Sequence, residues 1–234
     1  SFHIRNDNII LQNGVFQSSG LSSFEIPKNI TEIPYEFFDR CYNLSSIEIP
    51  LKITTIRTHA FRDCILLLEI KLHENIENIE SEAFTGCSGL TSFYIPNNVK
   101  LLGQSVLSYC SNLKYAQLPE NINEIPTGFF SHDISLKNIT IPKNVTKIRD
   151  AAFEYCNNLT SIDLSDKIEE IGRGAFKNML SLTSFTFPKK VTFILPEILC
   201  ECPNITNVKI KGNVTTISHS VFAVCISLEE VEIP

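Results

Sequence analysis

Cysteine is the residue in this sequence with the widest chemical repertoire, and seven of the eight copies fall on one spacing. Cys41, Cys64, Cys87, Cys110, Cys156, Cys202 and Cys225 are separated by 23 residues or by multiples of 23. An even cysteine count can signal a disulfide framework, and closely spaced cysteines can hold zinc. A single shared phase points elsewhere. Stacked coils could bring neighbouring cysteines within the roughly 4.4–6.8 Å Cα range of a disulfide, yet parallel stacking aims their Cβ atoms the same way. They read as a column of reduced thiols packed as small apolar groups. Cys200 breaks the phase. It falls where other coils carry polar residues such as Arg62 and Glu154, expected to be exposed, and so is the candidate for surface reactivity. A zinc site built on Cys200 and Cys202 needs two more convergent ligands, and none is in phase.

The other chemistry-bearing residues do not converge. His3, His59, His73, His132 and His219 lie on different phases and distant coils, which reads as solvated surface histidine. No nucleophile, base and orienting acid share a register, so neither a catalytic triad nor a metal cluster is expected. The nine glycines are dispersed, leaving no phosphate-cradling loop, and the pairs Glu169-Glu170 and Glu229-Glu230 read as solvated charge. The expectation is a chain without catalytic residues, cofactor or metal. Sequons of the form N-x-S/T occur at Asn29, Asn43, Asn138, Asn144, Asn158, Asn204 and Asn213. Most of these fall in two phases of the repeat, so the repeat itself generates them, and their use stays open.

The element that positions all these residues is a coil of 23 residues. Leu21, Leu44, Leu67, Leu90, Leu113, Leu136, Leu159, Leu182, Ile205 and Leu228 follow one another at that step without insertion or deletion. A fixed period of about 20–50 residues marks a solenoid or related array. Three and five places after each leading aliphatic come further apolar residues, such as Ile162 and Leu164, the alternation of a half-buried strand. Proline usually follows, as at Pro27, Pro50 and Pro96, and ends the strand. Later places hold Ile30 and Ile33, then a plug such as Phe38, Phe61 or Phe176, then the cysteine. Asparagine recurs two places after the proline place (Asn29, Asn75, Asn98, Asn121, Asn144, Asn213) and reads as local turn chemistry.

The pattern L-x-x-I-x-I-P-x-x-[IV]-x-x-I-x-x-x-A-F-x-x-C resembles the BspA-like leucine-rich repeats, the 23-residue class. Leu90 to Pro96, preceded by Ala83-Phe84-Thr-Gly-Cys87, matches it well, as does Leu159 through Phe176. The departures are Asp133 and Met179 at the cysteine place, His73, Ser165 and Lys211 at the proline place, and the small Ala116 at an inward place. The expected fold is a leucine-rich-repeat solenoid: a curved right-handed coil, a parallel β-sheet on its concave face, and short strands with one-turn helices at Ala-Phe-x-x-Cys on the convex side. Residues 1–234 are expected to form one domain of about ten coils and eleven strands. The first strand is placed at Phe2-His3-Ile4. The chain opens inside a repeat and stops at Ile233-Pro234, which reads as a fragment of a longer protein, uncapped at both ends.

At 234 residues, 43% hydrophobic content and a net charge of −6, the composition is that of an ordinary globular chain. No apolar run approaches the roughly 20 residues of a membrane span, and no Lys/Arg stripe marks a nucleic-acid surface. The family resemblance implies a non-catalytic protein-binding module of a cell-surface or secreted adhesin, bacterial or protozoan, that engages host cell or matrix proteins. The alternative is an intracellular protein–protein scaffold, favoured by the many unpaired thiols.

A binding surface would lie on the outward strand positions, two and four places after each leading aliphatic. Most are small hydroxyls or acids. The exception is central, where Tyr94 and Tyr115 stand on neighbouring strands, rimmed by Lys71, Lys114, Gln117, Lys137 and Asn138. Tyrosine is enriched at binding hot spots, but a tyrosine pair can also simply pack together across strands.

Overall fold

The computed structural model describes residues 9–234; the strand expected at Phe2-His3-Ile4 lies outside them, as does His3. The chain forms two compact units, the first ending at Pro119 and the second starting at Glu120. Both are parallel-strand solenoids whose paired residues lie 23 apart in sequence.

In the first unit, β1 (Glu32–Ile33), β2 (Thr55–Ile56), β3 (Asn78–Ile79) and β5 (Leu101–Leu102) form one parallel ladder. β4 (Ser92–Tyr94) and β6 (Tyr115–Gln117) form a second. The second unit repeats this division. β7 (Glu124–Ile125), β8 (Lys147–Ile148) and β9 (Glu170–Ile171) make one ladder, and β11 (Phe193–Ile194) with β13 (Thr216–Ile217) another. β10 (Ser184–Phe187), β12 (Asn207–Ile210) and β14 (Glu230–Glu232) carry the leading-aliphatic sheet.

That sheet is less continuous than the sequence pattern suggests. In that sheet the coils led by Leu44 and Leu67 are paired only at the bridge Ser46↔Glu69. The inward side chains do not require a continuous ladder: Leu44, Leu67, Leu136 and Leu159 are fully buried whether or not their segments pair. Coil spacing is held by the short second strands and by the turns.

The turns replace the one-turn helices expected at Ala-Phe-x-x-Cys. Among the described residues there is no helix, because the backbone donors are divided between two kinds of partner. Glu36, Phe38 and Arg40 donate their N–H groups to Thr58, Ala60 and Arg62 of the next coil, at 3.1, 2.8 and 2.7 Å. The intervening Phe37, Asp39 and Cys41 donate to carbonyls three residues back. A helix would need all six donors within the segment. The alternation also demands left-handed backbone at two places per coil, as at Glu36 and Arg40 (φ 53° and 57°) and at Ala151 and Tyr155 (φ 53° and 60°).

The plug residues form the core. Phe38, Phe61 and Phe84 stack at centroid distances of 5.3 and 5.2 Å, and Phe130, Phe153 and Phe176 at 5.4 and 5.5 Å. All six are fully buried, each worth roughly 1.5–3 kcal/mol by transfer.

Candidate functional site

The cysteine column is structural. The thiol of Cys64 donates to the carbonyl of Phe38 at 3.2 Å, that of Cys87 to Phe61 at 3.1 Å, and that of Cys156 to Phe130 at 3.2 Å. Cys202 and Cys225 repeat the contact on Phe176 and Leu199. Each of these thiols is thus a donor in its proton-bearing form, and none of the eight cysteines is in a disulfide. Burial pushes the thiols of Cys64, Cys87 and Cys156 far up and that of Cys202 up to about 12.

Cys200 is not the exposed thiol expected of its phase. It is 7% exposed, and burial raises its pKa. Its place in the coil is a half-buried polar column: in other coils it holds Asp39, fully buried against Arg62 at 2.7 Å, and the bonded pair Thr85 and Ser108 at 3.0 Å. A polar residue type had suggested solvent, whereas its partner sits one coil away.

Three histidines, His59, His73 and His132, are likewise less solvated than expected, whereas His219 is exposed. His59 is 16% exposed, held between Glu36 at 3.6 Å and Glu82 at 3.1 Å. The His73 ring lies 2.9 Å from the carbonyl of Pro50, and His132 stacks on Tyr155 at 4.4 Å. Burial lowers the pKa of His132. Among the described residues, no group of three or more His, Cys, Asp or Glu side chains could hold a metal ion. No helix among them is long and apolar enough to cross a membrane.

Asparagine does more than turn chemistry. The side-chain amides of Asn75, Asn98 and Asn144 donate to the carbonyls of Leu51, Glu74 and Glu120, 24 residues back, at 2.9, 2.8 and 3.3 Å. They tie successive coils together. Of the sequon asparagines, Asn144 and Asn204 spend their amides in this way.

On the outer face of the leading sheet, Tyr94 is 63% and Tyr115 52% exposed. The register sets Tyr115 opposite Ser92 and Tyr94 opposite Gln117, so the two rings stand on a diagonal and no ring contact joins them. Simple pair packing therefore does not account for their exposure. Lys114 and Gln117 are exposed on the same unit, and the Lys71 ammonium lies 3.3 Å from Glu69. Lys137 and Asn138 belong to the second unit, where both are exposed at the phases that Lys114 and Tyr115 hold in the first. Acidic residues of the last coil are partly neutralised: Lys209 pairs with Glu232 at 2.7 Å, and Asn207 donates to Glu230 at 3.2 Å.

One feature of the first unit was not expected. A groove of about 590 Å³ lies over the coils led by Leu44 and Leu67, lined by residues 45–49 and 51 and by Leu68, Glu69, Lys71, Leu72 and His73. Of the tyrosine strip's residues, only Lys71 borders it. Its signal in the sequence is the pair Leu51 and Leu68, each an apolar residue at a phase that is polar, charged or glycine in the other coils from Leu21 onward.

Among the curated proteins none matches the sequence. Solved structures do. A leucine-rich repeat protein from Bacteroides ovatus superposes with a TM-score of 0.84 at 24% identity, over 95% of this chain. The chain spans 63% of that protein's length. The leucine-rich repeat protein of T. pallidum gives 0.60 at 28% identity, covering 65% of this chain and 72% of that one. A leucine-rich cell surface protein from Faecalibacterium prausnitzii gives 0.51 at 24% identity, covering 95% and 82%. The BspA type leucine-rich repeat region matches residues 8–136 and 123–234, in six copies. With the 23-residue register, the phenylalanine stacks and the thiol column all in place, the chain belongs to the BspA-type leucine-rich repeat family.

Proposed function

We propose that this chain is a non-catalytic protein-binding module of a cell-surface or secreted adhesin that engages host cell or matrix proteins. The observation that carries the binding role is the exposure of Tyr94 and Tyr115 on a sheet face furnished mainly with small hydroxyls and acids. Large, rigid rings with a polar tip make hot-spot anchors at low entropic cost. Lys71, Lys114 and Gln117 form their rim in the first unit, and Lys137 and Asn138 join the proposal through their repeat phase alone. The surface location draws on family membership and on a structural relative described as a cell surface protein. An intracellular scaffold is the second reading, favoured by eight thiols outside any disulfide.

The test is binding of the protein to immobilised fibronectin, laminin and collagen and to cultured epithelial cells. The parent should bind at least one of these surfaces. Tyr94→Ala with Tyr115→Ala should fold normally, since both rings face solvent, and should weaken binding by about 2 kcal/mol or more. A folded double variant that binds as tightly as the parent removes the strip from consideration. No binding to any of these surfaces favours the scaffold reading.

A further inference from the structure

We infer that the groove across the coils led by Leu44 and Leu67 is a docking site for an extended peptide segment of alternating apolar and basic residues. This goes beyond the tyrosine strip and shares only Lys71 with it.

The floor is apolar for a reason the repeat does not supply. The place after the leading aliphatic is Ser22, Ser45, Thr91, Lys114, Lys137, Thr160, Thr183, Thr206 or Glu229 in the other coils, and only here is it leucine, Leu68. The place after the strand-ending residue is charged, Asn or Gly elsewhere, and only here is it Leu51. Leu51 is 70% and Leu68 63% exposed, on adjacent coils and lining one cavity, with Ile47 and Leu72 beside them. Two exposed leucines contribute nothing to the core. Two departures from the repeat that meet at one groove therefore need another account, and burial against a partner supplies it.

The rim sets the partner's charge. Glu48 and Glu69 are the carboxylates of the groove and Lys71 its one Lys or Arg, and that ammonium is already held by Glu69 at 3.3 Å. No cation pairs with Glu48 among the described residues, and Glu25 occupies the same phase one coil earlier. A basic segment is drawn to this rim and an acidic one repelled. The extended form follows from the groove's frame. The two walls run parallel, paired at the bridge Ser46↔Glu69, and an extended peptide presents alternate side chains to such a surface.

The probe is a fluorescein-labelled peptide, Val-Lys-Leu-Lys-Ile-Lys-Val, titrated with the protein and read by fluorescence anisotropy, beside its Lys-to-Glu counterpart. The parent should bind the lysine peptide and not the glutamate peptide. Leu51→Ser with Leu68→Thr, the residue types of other coils or near to them, should weaken binding about tenfold or more. Glu48→Gln should also weaken it and flatten its salt dependence. Tyr94→Ala with Tyr115→Ala should leave this affinity unchanged, so loss of the tyrosine strip and loss of the groove give separate readouts. Circular dichroism matching the parent confirms that each variant is folded. The inference is overturned if the parent ignores the lysine peptide, or if it binds both peptides alike. Equal affinity in the double leucine variant also overturns it. So does self-association of the parent that the double leucine substitution abolishes, since the occupant would then be a second copy of this chain.

Discussion

At the scale of single residues, the cysteine column shows how far type and spacing carry. Seven positions on one phase pointed to a column of packed, reduced thiols, and the structure gives them a shared partner: each thiol donates to a plug carbonyl of the previous coil. Partners reached through space were not legible. Asp39 looks like a surface acid in sequence but is fully buried, with the Arg62 guanidinium at 2.7 Å and the Gln17 amide at 2.8 Å. Burial pushes its carboxyl upward, yet the hydrogen bonds and charge of Arg62, with the Gln17 bond, outweigh it and the pKa falls. A depressed folded value contributes stability above the unfolded carboxylate value of about 3.9, lost as pH falls through the folded value. Arg62→Ala should cost about 3 kcal/mol at neutral pH, from a buried carboxylate left without its guanidinium, and the deficit should shrink toward pH 3 as Asp39 protonates. Urea melts of parent and variant across that range check this, and a deficit independent of pH would contradict it. For the thiols, iodoacetamide on this folded chain should modify half-buried Cys225 first, while Cys64, Cys87, Cys156 and Cys202 react only in denaturant. Intact mass showing hydrogens lost in pairs would mean disulfides instead.

At the scale of the element, the strand and plug places were readable because burial repeats them faithfully, and Phe38 to Phe176 hold the phase predicted for them. The turn was misread for a physical reason. Ala-Phe-x-x-Cys has helix-compatible residues, but stacking takes every second N–H for the neighbouring coil, and propensity cannot register a partner 22 residues away. The left-handed places that result are occupied indiscriminately: Glu36, His59, Glu82, Ala151 and Glu197 all share one phase with Gly128 and Gly174. For an L-residue that conformation costs about 1–2 kcal/mol, partly offset by the freedom glycine loses on folding. Ala151→Gly should therefore stabilise by about 0.5–1 kcal/mol, and Gly174→Ala should destabilise by a similar amount. A Cβ at Gly174 would meet Lys177 at 3.8 Å, an ordinary contact, so strain and not clash is measured. Thermal melts of both variants settle it; shifts of the same sign would show that backbone strain is not the governing effect.

At the scale of the whole molecule, the 23-residue step was legible from end to end, but the continuity of the leading sheet was not, since side-chain phase reports burial and says nothing of whether neighbouring backbones close their ladder. The two compact units meet in sequence at Pro119 and Glu120, where the repeat passes without insertion. Leu118 is at its strand place, Pro119 at the strand-ending place and Asn121 at the turn place, with no glycine- or serine-rich stretch between Leu113 and Leu136. On that ground we propose that residues 1–234 form one domain. A sensitive comparison is built into the repeat. Glu74 and Glu120 hold the same phase in different coils, both exposed, and each carbonyl accepts a bond from an asparagine of the next coil, Asn98 at 2.8 Å and Asn144 at 3.3 Å. Glu74 lies inside the first unit and Glu120 at the boundary. A glutamate-specific protease acting on the native protein should therefore cut the two at similar, slow rates, because cleavage in folded chains follows local opening of the backbone and both carbonyls are bonded to the next coil. Rapid cutting at Glu120 that releases two protease-resistant halves would show that the boundary opens as a linker and that the chain holds two domains.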